Sequence, residues 1–147
     1  MARNIRRYEA RDLDDVLSAW ENASKIAHSF LSHEFLELER YNIPNVYLPN
    51  AETWVAEQDG KTIGFIALLG HEVGGLFVQP ECQRMGVGRA LVDKAQALKG
   101  ELEVEVFAEN AIGRRFYLSY GFELVGKRIH AETGHELLRL KLTAPEA

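Results

Sequence analysis

Hydrophobic residues near the start of the chain recur at the three- and four-residue spacing of a helix. Their positions are Leu13, Val16, Leu17 and Trp20. Asp12 precedes them as a residue type that caps helix N-termini, and a short strand is expected before it over residues 5–8. A second helix is expected over residues 32–41, because the prolines and asparagines of residues 44–50 predict a loop after it.

From residue 53 onward the apolar positions change to the spacing of strands. Strand-like segments cover residues 53–57, 62–69, 73–78, 102–107, 122–129 and 136–142. Asp59-Gly60 predicts the turn of a hairpin between the first two of these segments. Helical spacing returns over residues 89–98, ending at Gly100, and over residues 110–120, ending at Gly121. The chain therefore alternates between strands and single helices in its second half.

The predicted order is strand, two helices, three strands, helix, strand, helix and two strands. This order predicts an α+β fold with a mixed, mostly antiparallel sheet of about seven strands and four helices. The chain has 147 residues, without internal repeats or linkers, so we expect a single domain over residues 1–147 with one hydrophobic core.

Composition narrows the classes of function. Lys+Arg 17 against Asp+Glu 22 gives a net charge of −5, so no global basic field attracts nucleic acid or an anionic membrane. No apolar run approaches the roughly 20 residues that span a bilayer. The single Cys82 cannot form an internal disulfide, and no signal-type apolar run follows Met1. We therefore expect a cytoplasmic protein with no membrane or nucleic-acid partner.

The segment after the strand at residues 73–78 carries the clearest candidate chemistry. A turn with two glycines, Gly86 and Gly88, leads directly into a helix. Glycines let the backbone approach a ligand closely, and the unpaired N–H groups of a helix start favour an anion. Arg89-Ala90 follow where a Walker A loop has Lys-Ser/Thr, and Leu91 stands where a dinucleotide fingerprint has its third glycine. The segment predicts a phosphate site of another kind.

Residues 83–88 read Gln-x-x-Gly-x-Gly, which resembles the acyl-CoA-binding motif of the GNAT superfamily of N-acetyltransferases. Asn110, Phe116-Tyr117 and Gly121-Phe122 resemble the second recurring motif of that family. The resemblance extends over residues 5–142, and its finer features resemble small bacterial members of unassigned substrate. It implies a sheet splayed between its fourth and fifth strands. It also implies direct attack by a primary amine on acetyl-CoA through a tetrahedral intermediate.

The resemblance also implies which residues bind the cofactor. They are Leu76, Phe77, Val78, Gln83, Arg84, Met85, Gly86, Val87, Gly88, Arg89, Ala90, Asn110, Phe116 and Tyr117. By this resemblance, the strand at residues 76–78 offers backbone groups to the pantetheine arm. The N–H groups of residues 84–89 surround the pyrophosphate. Arg84 and Arg89 add positive charge near the phosphates.

Acetyl transfer to an amine requires removal of one proton and delivery of another. Tyr117 matches the family tyrosine that protonates the leaving thiolate, although an aromatic residue on a helix is also typical of a core. The N–H of Val78 is expected to stabilise the oxyanion. Strand periodicity places Glu72 on the face of Gly74, Leu76 and Val78, which makes Glu72 a candidate base. The alternatives for that role are a water chain, His71, His28 and Glu34.

The acceptor amine is not readable from a motif. His28, Phe30, Glu34 and His71 are the candidate substrate-binding residues, with a structural histidine as the alternative for His28. Small-molecule amines, peptide N-termini and lysine all remain open as acceptors. A homodimer is also an open expectation.

Two further kinds of chemistry are unfavoured by the sequence. None of the three His-Glu dipeptides continues into His-Glu-x-x-His, so no metal site is expected. Cys82 has no neighbouring histidine or aspartate in the sequence, which argues against a covalent mechanism. The alternative function from another class is a non-catalytic acyl-CoA-binding sensor or interaction module.

Overall fold

A computed structural model describes residues 3–145 as one seven-stranded sheet with helices on both faces. The strands are β1 (Arg3–Arg7), β2 (Glu52–Gln58), β3 (Lys61–Leu69), β4 (Glu72–Val78), β5 (Leu102–Phe107), β6 (Glu123–Ile129) and β7 (Glu136–Leu142). The longer helices are α1 (Leu13–Ala27), α2 (His33–Asn42), α3 (Val87–Lys99) and α4 (Ala111–Tyr120). The predicted order of seven strands and four helices is confirmed. The ends of the predicted domain, residues 1–2 and 146–147, lie outside the described residues.

The strands lie in the order β1-β2-β3-β4-β5-β7-β6 across the sheet. Every neighbouring pair is antiparallel except β4 and β5, so the prediction of a mixed, mostly antiparallel sheet is confirmed. The larger hydrophobic cluster lies between the sheet and the helices α3 and α4. A smaller cluster, which includes Val16, Trp20 and Phe65, lies between α1 and the opposite face. The site is therefore built between two layers of helices.

The segment after α2 is helical, so the loop predicted for residues 44–50 is wrong. Ile43–Tyr47 forms a π-helical turn, and Leu48–Asn50 adds one further turn. Pro44 and Pro49 lie near the start of these two turns, within a helical path that is continuous from α2, and each lacks the N–H that would donate to a preceding carbonyl. Ile43 is buried against α1, which anchors the segment to the core. This extension of α2 forms one wall of the cleft described below.

Asp12 directly precedes α1, but its side chain does not make the predicted cap. The carboxylate instead accepts hydrogen bonds from the Arg6 guanidinium at 2.8 Å, from the Thr62 hydroxyl at 3.1 Å and from the Glu9 N–H at 2.8 Å. The bond to Arg6 lowers the pKa of Asp12 to about 2. This buried pair therefore joins β1 and β3 to the start of α1.

The parallel strands β4 and β5 are paired only at their first residues. Glu72 lies opposite Glu103, and Val73 lies opposite Val104. Beyond these two pairs the strands diverge, which confirms the splay expected between the fourth and fifth strands. The diverging strands leave one edge of β4 without a neighbouring strand.

A β-bulge interrupts β4 near its start. Leu68 pairs with Val73, whereas the preceding residue, Ala67, pairs with Gly75. Gly74 is therefore an extra residue of β4 that has no partner in β3. Such an insertion shifts the alternation of side chains by one residue, so positions before the bulge change faces.

The bulge corrects the predicted position of Glu72. Val73 lies on the same face as Leu76 and Val78, because their partners in β3 alternate without interruption. Glu72 lies on the opposite face together with Phe77. The expectation that Glu72 shares a face with Val78 is therefore wrong, and its side chain is directed toward the layer of α1 and α2.

Neither a membrane span nor a metal cluster is found in the described part of the fold. Within residues 3–145, no helix is both long and apolar enough to cross a bilayer. The same residues contain no group of three or more His, Cys, Asp or Glu side chains arranged to hold a metal ion.

Candidate active site

A cleft of about 890 Å³ opens where β4 and β5 diverge. Its first end is formed by the loop before α3, and it passes between the two strands. Its second end lies against the end of α1 and the inner face of α2. Arg84, Arg89 and Arg115 line the first end, which gives that end a positive charge.

The loop before α3 presents free backbone donors to the cleft. Gly86 has a φ of +82° and Arg84 a φ of +68°, so the chain turns sharply at both residues. The first backbone hydrogen bond of α3 is donated by Ala90 to the Gly86 carbonyl at 3.0 Å. The N–H groups of Val87 and Gly88 therefore have no helical acceptor. Such a cradle fits a pyrophosphate, because the donors and the helix dipole favour an anion.

Glycine is favoured at positions 86 and 88 for different structural reasons. A Cβ at Gly88 would lie 3.1 Å from the Phe116 ring, so a side chain there would be tight and the ring would have to shift. At Gly86 the nearest atom to a Cβ would be a nitrogen of the Arg3 guanidinium at 3.6 Å, and the positive φ is the main constraint. Arg3 also donates a hydrogen bond to the Met85 carbonyl at 2.8 Å. Gly88 is therefore favoured by tight packing and Gly86 by backbone conformation.

The free edge of β4 directs backbone polar groups into the cleft. Gln79 donates its N–H to the Ile63 carbonyl at 2.9 Å, so Val78 and Gly64 form a pair that exchanges no hydrogen bonds. The N–H and carbonyl of Val78 consequently point away from β3 and into the splay. The Gln83 side chain donates to the Val78 carbonyl at 3.2 Å, which leaves the Val78 N–H directed at the cleft.

Tyr117 lies in α4, with its ring buried between Phe116 and Phe122 at centroid distances of 5.3 and 5.2 Å. The residue also lines the cleft. Its hydroxyl has no hydrogen-bond partner among residues 3–145. Burial raises the pKa of Tyr117, so the phenol keeps its proton at neutral pH. A buried, protonated phenol in this position is chemically able to donate a proton.

Asn110 links the start of α4 to the end of α1. Its Oδ1 accepts a hydrogen bond from the Gly113 N–H at 2.8 Å, which directs its Nδ2 toward His28 Nε2 at 3.4 Å. His28 Nε2 is therefore the acceptor, and the proton of the neutral ring lies on Nδ1. Burial lowers the pKa of His28 to about 4, so this histidine is uncharged at neutral pH.

Aromatic rings from four parts of the chain meet beside His28. The centroid of the Phe107 ring lies 5.6 Å from His28, 5.5 Å from Phe30 and 5.5 Å from His130. Phe35 in α2 contacts His130 at 5.8 Å. Of the four predicted substrate-binding residues, His28 lines the cleft, and Phe30 contacts His28 without lining it. Phe35, Phe107 and His130 line the cleft as well, and their sequence positions gave no signal of this contact.

Three glutamates at the splay are paired with arginines. Arg139 donates to both carboxylate oxygens of Glu72, at 3.2 and 3.4 Å, and to Glu103 at 2.8 Å. Arg128 binds both oxygens of Glu105 at 2.7 Å. The bonds to Glu72 and Glu103 raise the pKa of Arg139. Glu72 lines the cleft as predicted, but its carboxylate is engaged by a guanidinium.

Other predicted site residues lie outside the cleft. Glu34 is exposed on α2, and His71 is exposed before β4, where its Nδ1 faces the Glu101 carbonyl at 3.1 Å. The Met85 side chain is exposed, and the N–H of Ala90 is used inside α3. None of these four residues lines the cleft.

The acidic residue of α2 that lines the cleft is Glu39, whereas the sequence predicts Glu34. Phe35, Glu39 and Ile43 lie four residues apart and form the cleft-facing side of α2 and its extension. Glu34, the predicted candidate, lies one residue before Phe35 and points elsewhere. The four-residue spacing from Phe35 was the available signal for Glu39.

Cys82 lies in the short 3₁₀ turn after β4 and is half-buried. Burial is the main reason that its pKa is raised, so the thiolate is disfavoured. The thiol does not line the cleft.

Comparisons with known proteins agree with this geometry. The family described as Acetyltransferase (GNAT) domain matches residues 49–124. Peptidyl-lysine N-acetyltransferase YjaB of Escherichia coli is 34% identical over 130 residues, which are 86% of this chain and 86% of that protein. Peptidyl-lysine N-acetyltransferase YiaC of the same organism is 31% identical over 122 residues, which are 82% and 84% of the two chains.

Solved structures show the same fold over the whole length. The solution structure of apo YjaB from Escherichia coli superposes with a TM-score of 0.87 at 28% identity, covering 99% of this chain and 100% of the other. PaiA N-acetyltransferase from Thermoplasma acidophilum, solved with coenzyme A, superposes with a TM-score of 0.74 at 20% identity and covers 97% and 100%.

The chain belongs to the GNAT family of acetyltransferases, whose acetyl donor is acetyl-CoA. It is thus an enzyme of the acyltransferase class. YjaB and YiaC, at 34% and 31% identity, are both named acetyltransferases, so the alternative of a non-catalytic CoA-binding module finds no support.

Proposed function

We propose that this enzyme transfers the acetyl group of acetyl-CoA to the side-chain amine of lysine in a peptide or protein. The observation that carries the proposal is the cleft itself, which runs through the splay from a phosphate cradle to a second end lined by rings and carboxylates. The names of YjaB and YiaC, both peptidyl-lysine N-acetyltransferases, support the choice of lysine among the amines that the sequence left open.

The cofactor is held, in this proposal, by backbone groups rather than by specific side chains. The N–H groups of Val87 and Gly88 bind the pyrophosphate, with Arg84 and Arg89 adding charge. The free edge of β4 at Leu76 and Val78 binds the pantetheine arm in the manner of an added strand. Bound acetyl-CoA supplies an activated thioester, and the Val78 N–H donates to its carbonyl oxygen as negative charge develops there.

Tyr117 is proposed as the acid that protonates the departing sulfur. Its raised pKa keeps the proton on the phenol at neutral pH, so the proton is available when negative charge develops on the departing sulfur. The packing of its ring between Phe116 and Phe122 fixes the position of the hydroxyl. Glu72 is a weaker proposal for the base, because Arg139 engages both of its oxygens.

The second end of the cleft is suited to a long, flexible side chain with a cationic tip. The rings of Phe35, Phe107 and His130 supply apolar walls for the methylene groups of lysine. The carboxylates at this end attract its ammonium group. A cytoplasmic location and a homodimer stay predictions from the sequence and from the resemblance.

Two matched peptides test the acceptor class. One peptide carries a single lysine and a blocked N-terminus, and the other carries a free N-terminus and arginine in place of lysine. Release of CoA thiol and the mass of the product should show acetylation of the first peptide only. Acetylation of the second peptide alone would assign the enzyme to N-terminal amines instead.

A further inference from the structure

Three carboxylates among the described residues line the cleft, and they are Glu39, Glu72 and Glu105. Two of them already have cationic partners, since Arg139 binds Glu72 and Arg128 binds Glu105, each through two hydrogen bonds. Glu39 forms no ion pair with any residue in the described part of the chain. An incoming ammonium group therefore finds one cleft carboxylate that is not neutralised.

The surroundings of Glu39 are arranged to keep it available. Tyr47, further along the extension of α2, has its hydroxyl near this carboxylate and interacts with it electrostatically. The other titratable groups that face it are His130 at the end of β6 and Glu132 in the turn that follows. None of these three groups carries the fixed positive charge of an arginine or lysine.

The π-helical turn after α2 places these groups together. In Ile43–Tyr47, the N–H of the following residue, Leu48, donates to the Ile43 carbonyl, which widens the turn by one residue relative to an α-helix. Glu39, Ile43 and Tyr47 all line the cleft as a result. A π-helical turn inserted beside a helix is often found at a functional site.

We propose that Glu39 binds the ammonium group of the acceptor lysine and accepts its proton. This inference rests on the proposed function and assigns the acceptor-recognition group of that same cleft. The rings of Phe35 and His130 lie on the same wall and guide the methylene groups of lysine past them. Glu72 then acts as a structural partner of Arg139 rather than as the base.

The protons balance along this route. The ammonium N–H proton passes to the Glu39 carboxylate, and the neutral amine forms its C–N bond with the thioester carbon. The C–S bond breaks, and the sulfur takes the phenolic proton of Tyr117. Solvent takes away both the proton held by Glu39 and the second proton that the nitrogen loses as it becomes an amide. It returns one proton to Tyr117, so the reaction releases one proton overall. Burial raises the pKa of Glu39, which makes its carboxylate a better proton acceptor than an exposed one.

The test compares Glu39→Gln with Glu37→Gln, which removes the same charge from an exposed position of the same helix. Glu39→Gln should raise KM for the lysine peptide about tenfold or more, because a charge-assisted hydrogen bond is lost. Its kcat should fall as well, and its affinity for acetyl-CoA should be unchanged, which also shows that the variant is folded. Glu37→Gln should match the unaltered enzyme. Glu39→Asp should recover part of the lost activity.

A neutral acceptor amine tests whether Glu39→Gln loses only the recognition of a charged amine or loses acetyl transfer in general. Trifluoroethylamine is uncharged near neutral pH, so its slow acetylation should be similar in the unaltered enzyme and in Glu39→Gln. An equal loss with both acceptors, or unchanged KM for the lysine peptide, would overturn the assignment of Glu39 and leave the proposed function intact. If the unaltered enzyme acetylates no lysine peptide at all, the proposed function and the role of Glu39 both fail.

Discussion

Arg139 of β7 binds both carboxylate oxygens of Glu72 of β4, at 3.2 and 3.4 Å, across the strand that separates them. The same guanidinium donates to Glu103 of the intervening strand β5 at 2.8 Å. The contact joins three strands at the only place where β4 and β5 are paired in the described structure. Glu72 is therefore part of the structure that closes the base of the splay.

The first prediction concerns this ion pair. Glu72→Gln should reduce kcat/KM less than about tenfold and leave the shape of the pH–rate profile unchanged, because the proton of the acceptor passes to another group. Since both side chains are about one-third exposed, their coupling in a double-mutant cycle with Arg139→Gln should stay below about 1 kcal/mol. If kcat/KM of Glu72→Gln no longer falls at acidic pH, Glu72 is the base.

The second prediction concerns Tyr117. Tyr117→Phe keeps the buried ring and removes only the hydroxyl, so kcat should fall about 10²-fold while acetyl-CoA affinity changes little. Tyr120→Phe is the matched control, because the Tyr120 hydroxyl donates to Asp93 and does not line the cleft. Steady-state kinetics and calorimetry of both variants check the prediction. Full turnover in Tyr117→Phe would exclude it as the acid.

The third prediction separates backbone strain from cofactor binding. Gly86→Ala places a side chain at a φ of +82°, which should cost about 1 kcal/mol of stability. Relief of this strain moves the N–H groups of the loop, so acetyl-CoA should bind at least about tenfold more weakly. Gly60→Ala carries the same strain at a φ of +79°, in a hairpin turn far along the sequence. It should lower stability equally without changing affinity; equal affinities in the two variants would contradict the phosphate-loop assignment.

The fourth prediction concerns the pH dependence of stability. The pKa of His28 is about 4 in the folded state, against an ordinary value of 6.5 in an unfolded chain, so the unfolded state binds the proton more readily. Stability should therefore fall as pH decreases through 6.5 toward 4. The decrease due to His28 should be about 2 kcal/mol between about pH 7 and about pH 5.

His28→Gln should remove this part of the pH dependence, because glutamine does not titrate. His33→Gln is the control, since His33 is almost fully exposed on α2 and should leave the dependence unchanged. Urea denaturation at several pH values measures both variants. Identical pH profiles for His28→Gln and the unaltered protein would show that burial does not hold His28 neutral.

The sequence predicts the elements of this fold well, because each depends on local spacing. Strand and helix segments lie within a few residues of their predicted bounds, and Gly100 and Gly121 end the helices α3 and α4 as expected. The prediction for residues 44–50 is wrong for a physical reason. The helix continues through Pro44 and Pro49, widening into a π-helical turn over Ile43–Tyr47, and burial of Ile43 favours this path.

The site is less predictable, since it depends on long-range register. The bulge at Gly74 moves Glu72 to the other face, and nothing in the alternation of residues 72–78 announces an extra residue. The contact of Phe107 with His130 joins β5 to the end of β6 and follows only from the sheet order. The phosphate loop is predictable because its two glycines and the helix that follows them are adjacent in the sequence.

The two residue pairs between β4 and β5 make the seven strands, in terms of hydrogen bonds, two nearly independent half-sheets. The halves share one apolar layer, and its buried residues include Val78 of one half and Val104 and Leu140 of the other. The volume of the side chains in this layer therefore sets the width of the opening between β4 and β5 that receives acetyl-CoA. Removing a methyl group from this layer would change the width of the opening between β4 and β5. The substitution would then change the rate of acetyl transfer, although the altered side chain contacts neither substrate.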